Sequence, residues 1–363
     1  MRTRLTQLLN IDVPIVQAPM AGSNDAELAI AVSDAGGLGS LPCAMLSAEQ
    51  ARDALRLIRS RTQRPVNLNF FCHGAPVADS ARQQRWTEML AKYYVELGID
   101  LDGASAASGR APFDDVMCEV VEEFRPAVVS FHFGLPTAGL VERVRATGAS
   151  VLSSATSVDE ARWLEDHGCD VIIAQGAEAG GHRGMFLTTD PSSQIGTIAL
   201  VPQVVDAVSI PVVAAGGISD ARAIGAALML GADGVQIGTG YLLCPEATTT
   251  AAHRQALTSA GSDITAITNV FTGRPARGVL NRVMRDLGPL SSTAPEFPMA
   301  AAALGPIRAK AESMGSGDFS PLWSGQAASL ARAIPAGVLT RQLAVETQAH
   351  LHAVASRYGT PAE

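Results

Sequence analysis

Short apolar runs alternate with amphipathic stretches through the first two thirds of the chain. The runs fall at residues 14–19, 37–41, 65–71, 127–133, 150–154, 171–175, 211–215 and 234–238. They are continuous instead of strictly alternating, which is the pattern of strands covered by helices on a parallel sheet. Helix-like segments lie between most of them, at 25–35, 48–60, 114–124, 136–147, 158–167, 197–207 and 220–230. Ser47 with Gln50, and Ser157 with Glu160, have the capping-box spacing that satisfies free amides at a helix start. Gly148, Gly168 and Gly231 follow helical stretches, where glycine readily takes the left-handed C-terminal conformation. Eight strand–helix units in about 240 residues predict an α/β protein built on a (β/α)8 TIM barrel, with an open doubly wound sheet as the structural alternative.

The rhythm changes after Cys244. Residues 245–267 read as helical, 272–298 are rich in Arg, Gly, Ser and Pro, and helical patterns return at 299–314 and 325–358. The predicted organisation is therefore a barrel over 1–245, an α-rich substrate-side region over 246–325 near the barrel mouth, and a C-terminal helix over 326–363 that returns to the barrel.

Composition narrows the function classes. With 47% hydrophobic and 17% charged residues in 363, the chain has material for a large core. A net charge of -8 argues against a general binder of nucleic acid or anionic membrane. No apolar run approaches the ~18 residues of a membrane span. Gln7, Asn10, Asp12 and Pro14 interrupt any signal-peptide core, so a cytoplasmic location is expected. Five scattered cysteines (43, 72, 118, 169 and 244) with no close pair fit reduced, buried thiols.

In a barrel of this class the chemistry sits at the C-terminal strand ends. Polar residues and glycines crowd that rim: QAPM (Gln17, Ala18, Pro19, Met20), NLNFF with Asn69, SFHFG with His132, QGAEAGGHRG from Gln175 to Gly184, AAGGIS with Gly216 and Gly217, and QIGTG with Gln236, Ile237, Gly238 and Thr239. Gly216-Gly217 precedes a predicted helix, and Gly238-Thr239 makes a second tight turn on the next strand. Together they predict a phosphate cradle of backbone amides. Asn69 and Gln175 both donate and accept, which suits the edge of a flavin or nucleobase, although either could cap a loop. Gly176, Gly180 and Gly181 allow close approach to a flat ring. His132 and His182 share the rim, where an imidazole near neutral pH can take a carbon-bound proton or steady an anion as imidazolium. Zinc would need a third ligand and Glu178 is the only obvious one, so no metal is expected.

Taken in order, QAPMAG, NLNFF, SFHFG, QGAEAGGHRG, AAGGI and QIGTG, with TGRPARG (from Thr272) and PLWSGQ (from Pro321), resemble the nitronate monooxygenases over nearly the whole chain. The resemblance implies an FMN-dependent enzyme that oxidises alkyl nitronates such as propionate 3-nitronate, and nitroalkanes, with O2 to a carbonyl compound and nitrite through a flavosemiquinone. It implies Gln17, Ala18, Pro19 and Met20 along the flavin, and Asn69, Gln175, Gly180 and Gly181 at the ring and its chain. Gly216, Gly217, Gln236, Ile237, Gly238 and Thr239 would hold the ribityl phosphate. His182 would be the catalytic base with His132 beside it. Phe297-Pro298 stands where the family often has Tyr-Pro, and Lys310 matches a basic substrate-side residue only loosely. The implied partners are small molecules, and a homodimer is left open. An FMN-dependent NAD(P)H reductase of a quinone or enoyl thioester, and a non-catalytic flavin-binding protein, are the alternative readings.

Overall fold

The computed structural model describes every residue except 78, 101–109, 260 and 359–363. The end of the expected returning helix region, 359–363, therefore lies outside the described residues. Eight parallel strands build the sheet: β1 (Ile15–Gln17), β2 (Gly39–Pro42), β3 (Val66–Phe71), β4 (Val128–His132), β5 (Ser150–Ala155), β6 (Val171–Gln175), β8 (Val212–Ala215) and β9 (Gly234–Ile237); the two-residue β7 (Gly181–His182) lies outside it. Their order is β1-β9-β8-β6-β5-β4-β3-β2. Leu38 N donates to Ile15 O and Gln17 N to Leu38 O, both at 2.9 Å, so β2 meets β1 again and the cylinder closes. That closure excludes the open doubly wound sheet.

Side chains alternate across each strand. One parity (Ile15, Leu68, Phe70, Val129, Phe131, Ile172, Ala174, Val235 and Ile237 among others) joins the large core shared with the surrounding helices. The other (Val16, Val128, Leu152, Val171, Ile173 and Val213) fills the barrel axis with Leu5 and Leu9 of α1 (Arg4–Leu9), which plugs the N-terminal end. The helical layer is α2 (Ala26–Asp34), α3 (Ala48–Arg61), α5 (Asp115–Phe124), α6 (Ala138–Ala146), α7 (Val158–Asp166), α8 (Thr197–Ala207) and α9 (Ala221–Met229); α13 (Ala336–Tyr358) packs against α9 and α2, taking the slot left after β9. No helix among the described residues is long and apolar enough to cross a membrane.

Two features depart from the sequence reading. Helix α4 (Ser80–Leu97), between β3 and α5, is an extra element. It carries Trp86, Leu90, Tyr93 and Tyr94 into a second core with Phe271, Leu304 and Ile307, and packs on α12 (Ala300–Ser313). The expected helix over 245–267 shrinks to α10 (Ala251–Thr258) and is followed by β10 (Thr265–Thr268). β10 pairs antiparallel with β11 (Ala276–Val279), and β11 pairs with β7, setting Ala276 opposite His182 and Arg277 opposite Gly181. β-branched Thr265, Ile267 and Thr268 favour this strand. The part of the appendage that reaches the barrel mouth is thus a small sheet, with α10, α11 (Arg282–Leu287) and α12 around it.

Candidate active site

A cleft of about 1270 Å³, counted with the open space at its mouth, lies at the C-terminal ends of the strands. Ala18, Pro19, Met20, Asn69, His132, Gln175, Gly180, Gly181, His182, Gly216, Gly217, Gln236, Gly238 and Thr239 line it. Gln17 and Ile237 do not. Strand parity explains both: Ile237 faces outward with Val235, and Gln17 lies on the same side of β1 as outward-facing Ile15. The Gln17 side chain closes the β1–β2 seam, accepting from Ser40 N at 2.8 Å and donating to Ala18 O.

His182 reaches the cleft from β7, and its ring is walled by the rings of Phe71, Phe133, Phe297 and Trp323 at centroid distances of 5.4–6.1 Å. Its Nε2 lies 3.0 Å from Thr272 Oγ1. In the tautomer whose Nε2–H donates to Thr272, Nδ1 is the bare nitrogen. Nδ1 has no partner among the described residues. Both rim imidazoles are partly buried and line this cleft. Burial first, then Arg110, His132, Arg274 and His73, hold His182 well below the usual histidine range. The ring is neutral at pH 7. That suits a proton acceptor.

His132 has a different task. Its Nδ1 is 3.1 Å from Ser154 Oγ and its Nε2 is 3.1 Å from the His182 carbonyl oxygen, so Nε2–H donates to that carbonyl and Nδ1 accepts from the serine. Gln175 Nε2 donates to the same carbonyl at 3.0 Å, while its Oε1 accepts from Gly184 N at 2.7 Å. His132 and Gln175 therefore clamp the backbone that carries His182, and neither nitrogen of His132 is free to move a proton. Burial pushes the His132 imidazole down to about 3 from its ordinary 6.5. Below pH 6.5 the unfolded chain takes up a proton that the folded chain refuses, so this residue makes stability fall as pH drops from 6.5 toward 3. His132→Gln is expected to flatten the fall of melting temperature in that window. His253, held at about 4 by burial, and His182 and His73, which burial also lowers, keep part of the slope. A slope identical to wild type would mean that burial does not hold His132 neutral.

The loop before His182 is pinned from beneath by a residue that the sequence reading did not single out. Fully buried Arg183 donates to Gln175 O (3.0 Å), Gly176 O (2.8 Å), Ala179 O (3.3 Å) and Gln194 Oε1 (2.8 Å). Glu178 accepts from Thr197 N and Oγ1 at 2.7–3.0 Å, which fixes its carboxylate away from any shared ligand set with the histidines. Gly180 packs so tightly on Ser324-Gly325 that a Cβ would lie 2.5 Å from Gly325 N, and Gly325 N in turn donates to Thr239 Oγ1 at 2.9 Å.

The far side of the cleft is built from backbone. Gly216 and Gly217 take φ values of 118° and 68°, which only glycine adopts readily. Ahead of α9 the amides of Gly217, Ile218 and Ser219, and on the next turn those of Gly238 and Thr239, meet no acceptor among the described residues. Such a set of amides at a helix start attracts an anion. Gln236 Oε1 is buried without a partner, and Asn69, which donates to Ser130 Oγ at 2.9 Å, keeps its own Oδ1 free. These acceptors can meet the N–H edge of a heterocycle.

Thr272, Phe71 and Trp323 stood inside quoted motifs, where nothing local marks their contact with His182. Arg110 follows no motif and is found only from the fold.

The family model described as nitronate monooxygenase matches residues 2–346. The chain is 42% identical over 348 residues to the nitronate monooxygenase of Pseudomonas aeruginosa, covering 95% of this chain and 99% of that protein. Among solved structures, a nitroalkane oxidase from Streptomyces ansochromogenes superposes with a TM-score of 0.87 at 38% identity, covering 97% of this chain and all of that one. FabK from Thermotoga maritima superposes with a TM-score of 0.76 at 27% identity, over 98% and 99% of the two chains.

Proposed function

We infer, from the premise that this chain belongs to the nitronate monooxygenase family, that it oxidises alkyl nitronates and neutral nitroalkanes with O2 at the barrel mouth, using FMN. Family membership makes it a flavin-dependent oxidoreductase; FMN as the flavin, and the residues that hold it, are our reading of the cleft. The observation that carries it is the bare Nδ1 of a neutral His182 in a cleft that also presents unpaired amides and unpaired amide oxygens.

The residues present fit such a cofactor. The amides of Gly217, Ile218, Ser219, Gly238 and Thr239 would hold the phosphate, with no lysine or arginine in that part of the wall. Ala18, Pro19, Met20, Gly180 and Gly181 would lie along the ring system and its chain, with Asn69 and Gln236 offering acceptors to its edge. When bound, the flavin supplies the electron acceptor and the route to oxygen.

The chain's own part is proton handling and positioning. A neutral nitroalkane gives its α-proton to His182 Nδ1, and the C–H electron pair moves into the nitro group. Thr272 fixes the ring through Nε2, and the clamp of His132 and Gln175 fixes the backbone behind it. A pre-formed nitronate needs no such transfer. Phe71 and Trp323 line the cleft beside His182 and give it an apolar wall, with Phe133 and Phe297 packed on the same ring. All five cysteines are unpaired, and we place the enzyme in a reducing compartment, the cytoplasm.

Purified protein given ethyl nitronate in air should consume O2 and release nitrite. Release of nitrite without O2 uptake, or no turnover of any nitronate, would overturn this reading.

A further inference from the structure

Among the described residues that line the cleft there is no aspartate, glutamate or lysine, and Arg110 is the only one with a permanent charge. It has no counter-ion there. Its Nη1 is buried without a partner. Its guanidinium carbon lies 5.9 Å from the centroid of Phe297, and the His182 ring lies 5.4 Å from that same centroid. Burial and nearby Arg308 both weigh against the charge, and pull the guanidinium below its usual range. An unpaired buried cation is costly unless something completes it.

An anion would complete it, and its place in the chain sets it apart from the phosphate cradle. Arg110 enters between β3 and β4, whereas the unpaired amides lie after β8 and β9; β6 and β5 separate β8 from β4 in the sheet. The cation therefore serves the part of the cleft that His182 overlooks.

We propose that Arg110 is the counter-ion of the nitronate group, pairing with the pre-formed anion on binding and with the charge that develops on the nitro oxygens as His182 removes a proton. This rests on the function proposed above. The balance is simple: the α-proton goes to Nδ1, the C–H pair becomes the C=N bond, and the negative charge collects on two oxygens facing the guanidinium.

The two substrates then report Arg110 differently. With ethyl nitronate the charge is present before reaction, so the contact contributes to ground state and transition state alike. With nitroethane it appears only in the transition state. Arg110→Gln should raise KM for ethyl nitronate by roughly thirtyfold or more with little change in kcat. For nitroethane it should lower kcat by a similar factor with little change in KM. Arg110→Lys, which keeps the charge and loses the planar fork, should restore part of both effects. Nitrate, a planar monoanion, provides a readout without turnover: its affinity by titration calorimetry should fall in Arg110→Gln and recover partly in Arg110→Lys.

If both substrates lose only kcat, if KM for ethyl nitronate and nitrate affinity stay at wild-type values, or if the variants lose their flavin, Arg110 is not the counter-ion. Wild-type protein that turns over no nitronate would sink the underlying function instead, so the two failures are distinguishable.

Discussion

Replacing His182 by Asn should lower kcat for neutral nitroethane by roughly a thousandfold, within the usual range for loss of a general base. Turnover of ethyl nitronate should stay within about tenfold of wild type, because its proton is already gone. The fold should survive. The clamp from His132 and Gln175 holds the backbone carbonyl of residue 182, which the substitution leaves in place. Steady-state kinetics on the two substrates checks this, and equal losses on both would remove His182 from the role of base. The wild-type pH profile carries the same claim. A base loses activity when protonated, and burial together with Arg110, His132, Arg274 and His73 holds this one well below 6.5. The acid limb of kcat/KM for nitroethane should therefore lie below pH 6.5, and a limb centred at or above that value would mean that the imidazole is not buried as described.

The second large effect concerns the phosphate cradle. Gly216→Val should weaken FMN binding by roughly ten- to a hundredfold and give protein purified with little colour. Two costs add. A φ of 118° is a strained conformation for a side-chain-bearing residue, of order 1–3 kcal/mol. A Cβ there would also stand 2.8 Å from Thr197 Oγ1 and 3.1 Å from Ala179 N, atoms already fixed by Glu178 and by the Gly176 carbonyl. Fluorescence titration of apoprotein with FMN measures the loss, and wild-type affinity in the valine variant would show that the turn after β8 does not hold the cofactor.

The barrel was legible because each of its eight strands is a local apolar run and seven of them are followed by a helix before the next barrel strand. What escaped was non-local. Helix α4 breaks the strand–helix alternation, although its apolar positions Trp86, Leu90 and Tyr94 recur at helical spacing. β10 and β11 are short and gain their pairing from each other and from β7, about ninety residues away in sequence. At the site, rim position revealed which segments converge but not which atoms are free. His132 and Gln175 read as chemistry and turn out to brace the loop. Alternation along β9 already implied that Ile237 faces the helices, since Val235 does, while Gln236 faces inward. Arg110 was invisible for another reason: its meaning is the absence of a carboxylate around it among the described residues, which only three-dimensional neighbours define.

The central claim is a flavin-bearing cleft in which His182 and its surroundings handle nitronates. The most direct test is the visible spectrum of purified protein during anaerobic titration with ethyl nitronate, followed by NADPH on a fresh sample. The expected result is a yellow protein with one FMN per chain, bleached by the nitronate and indifferent to NADPH. A colourless protein that takes up no FMN, or one bleached by NADPH and untouched by the nitronate, would contradict it.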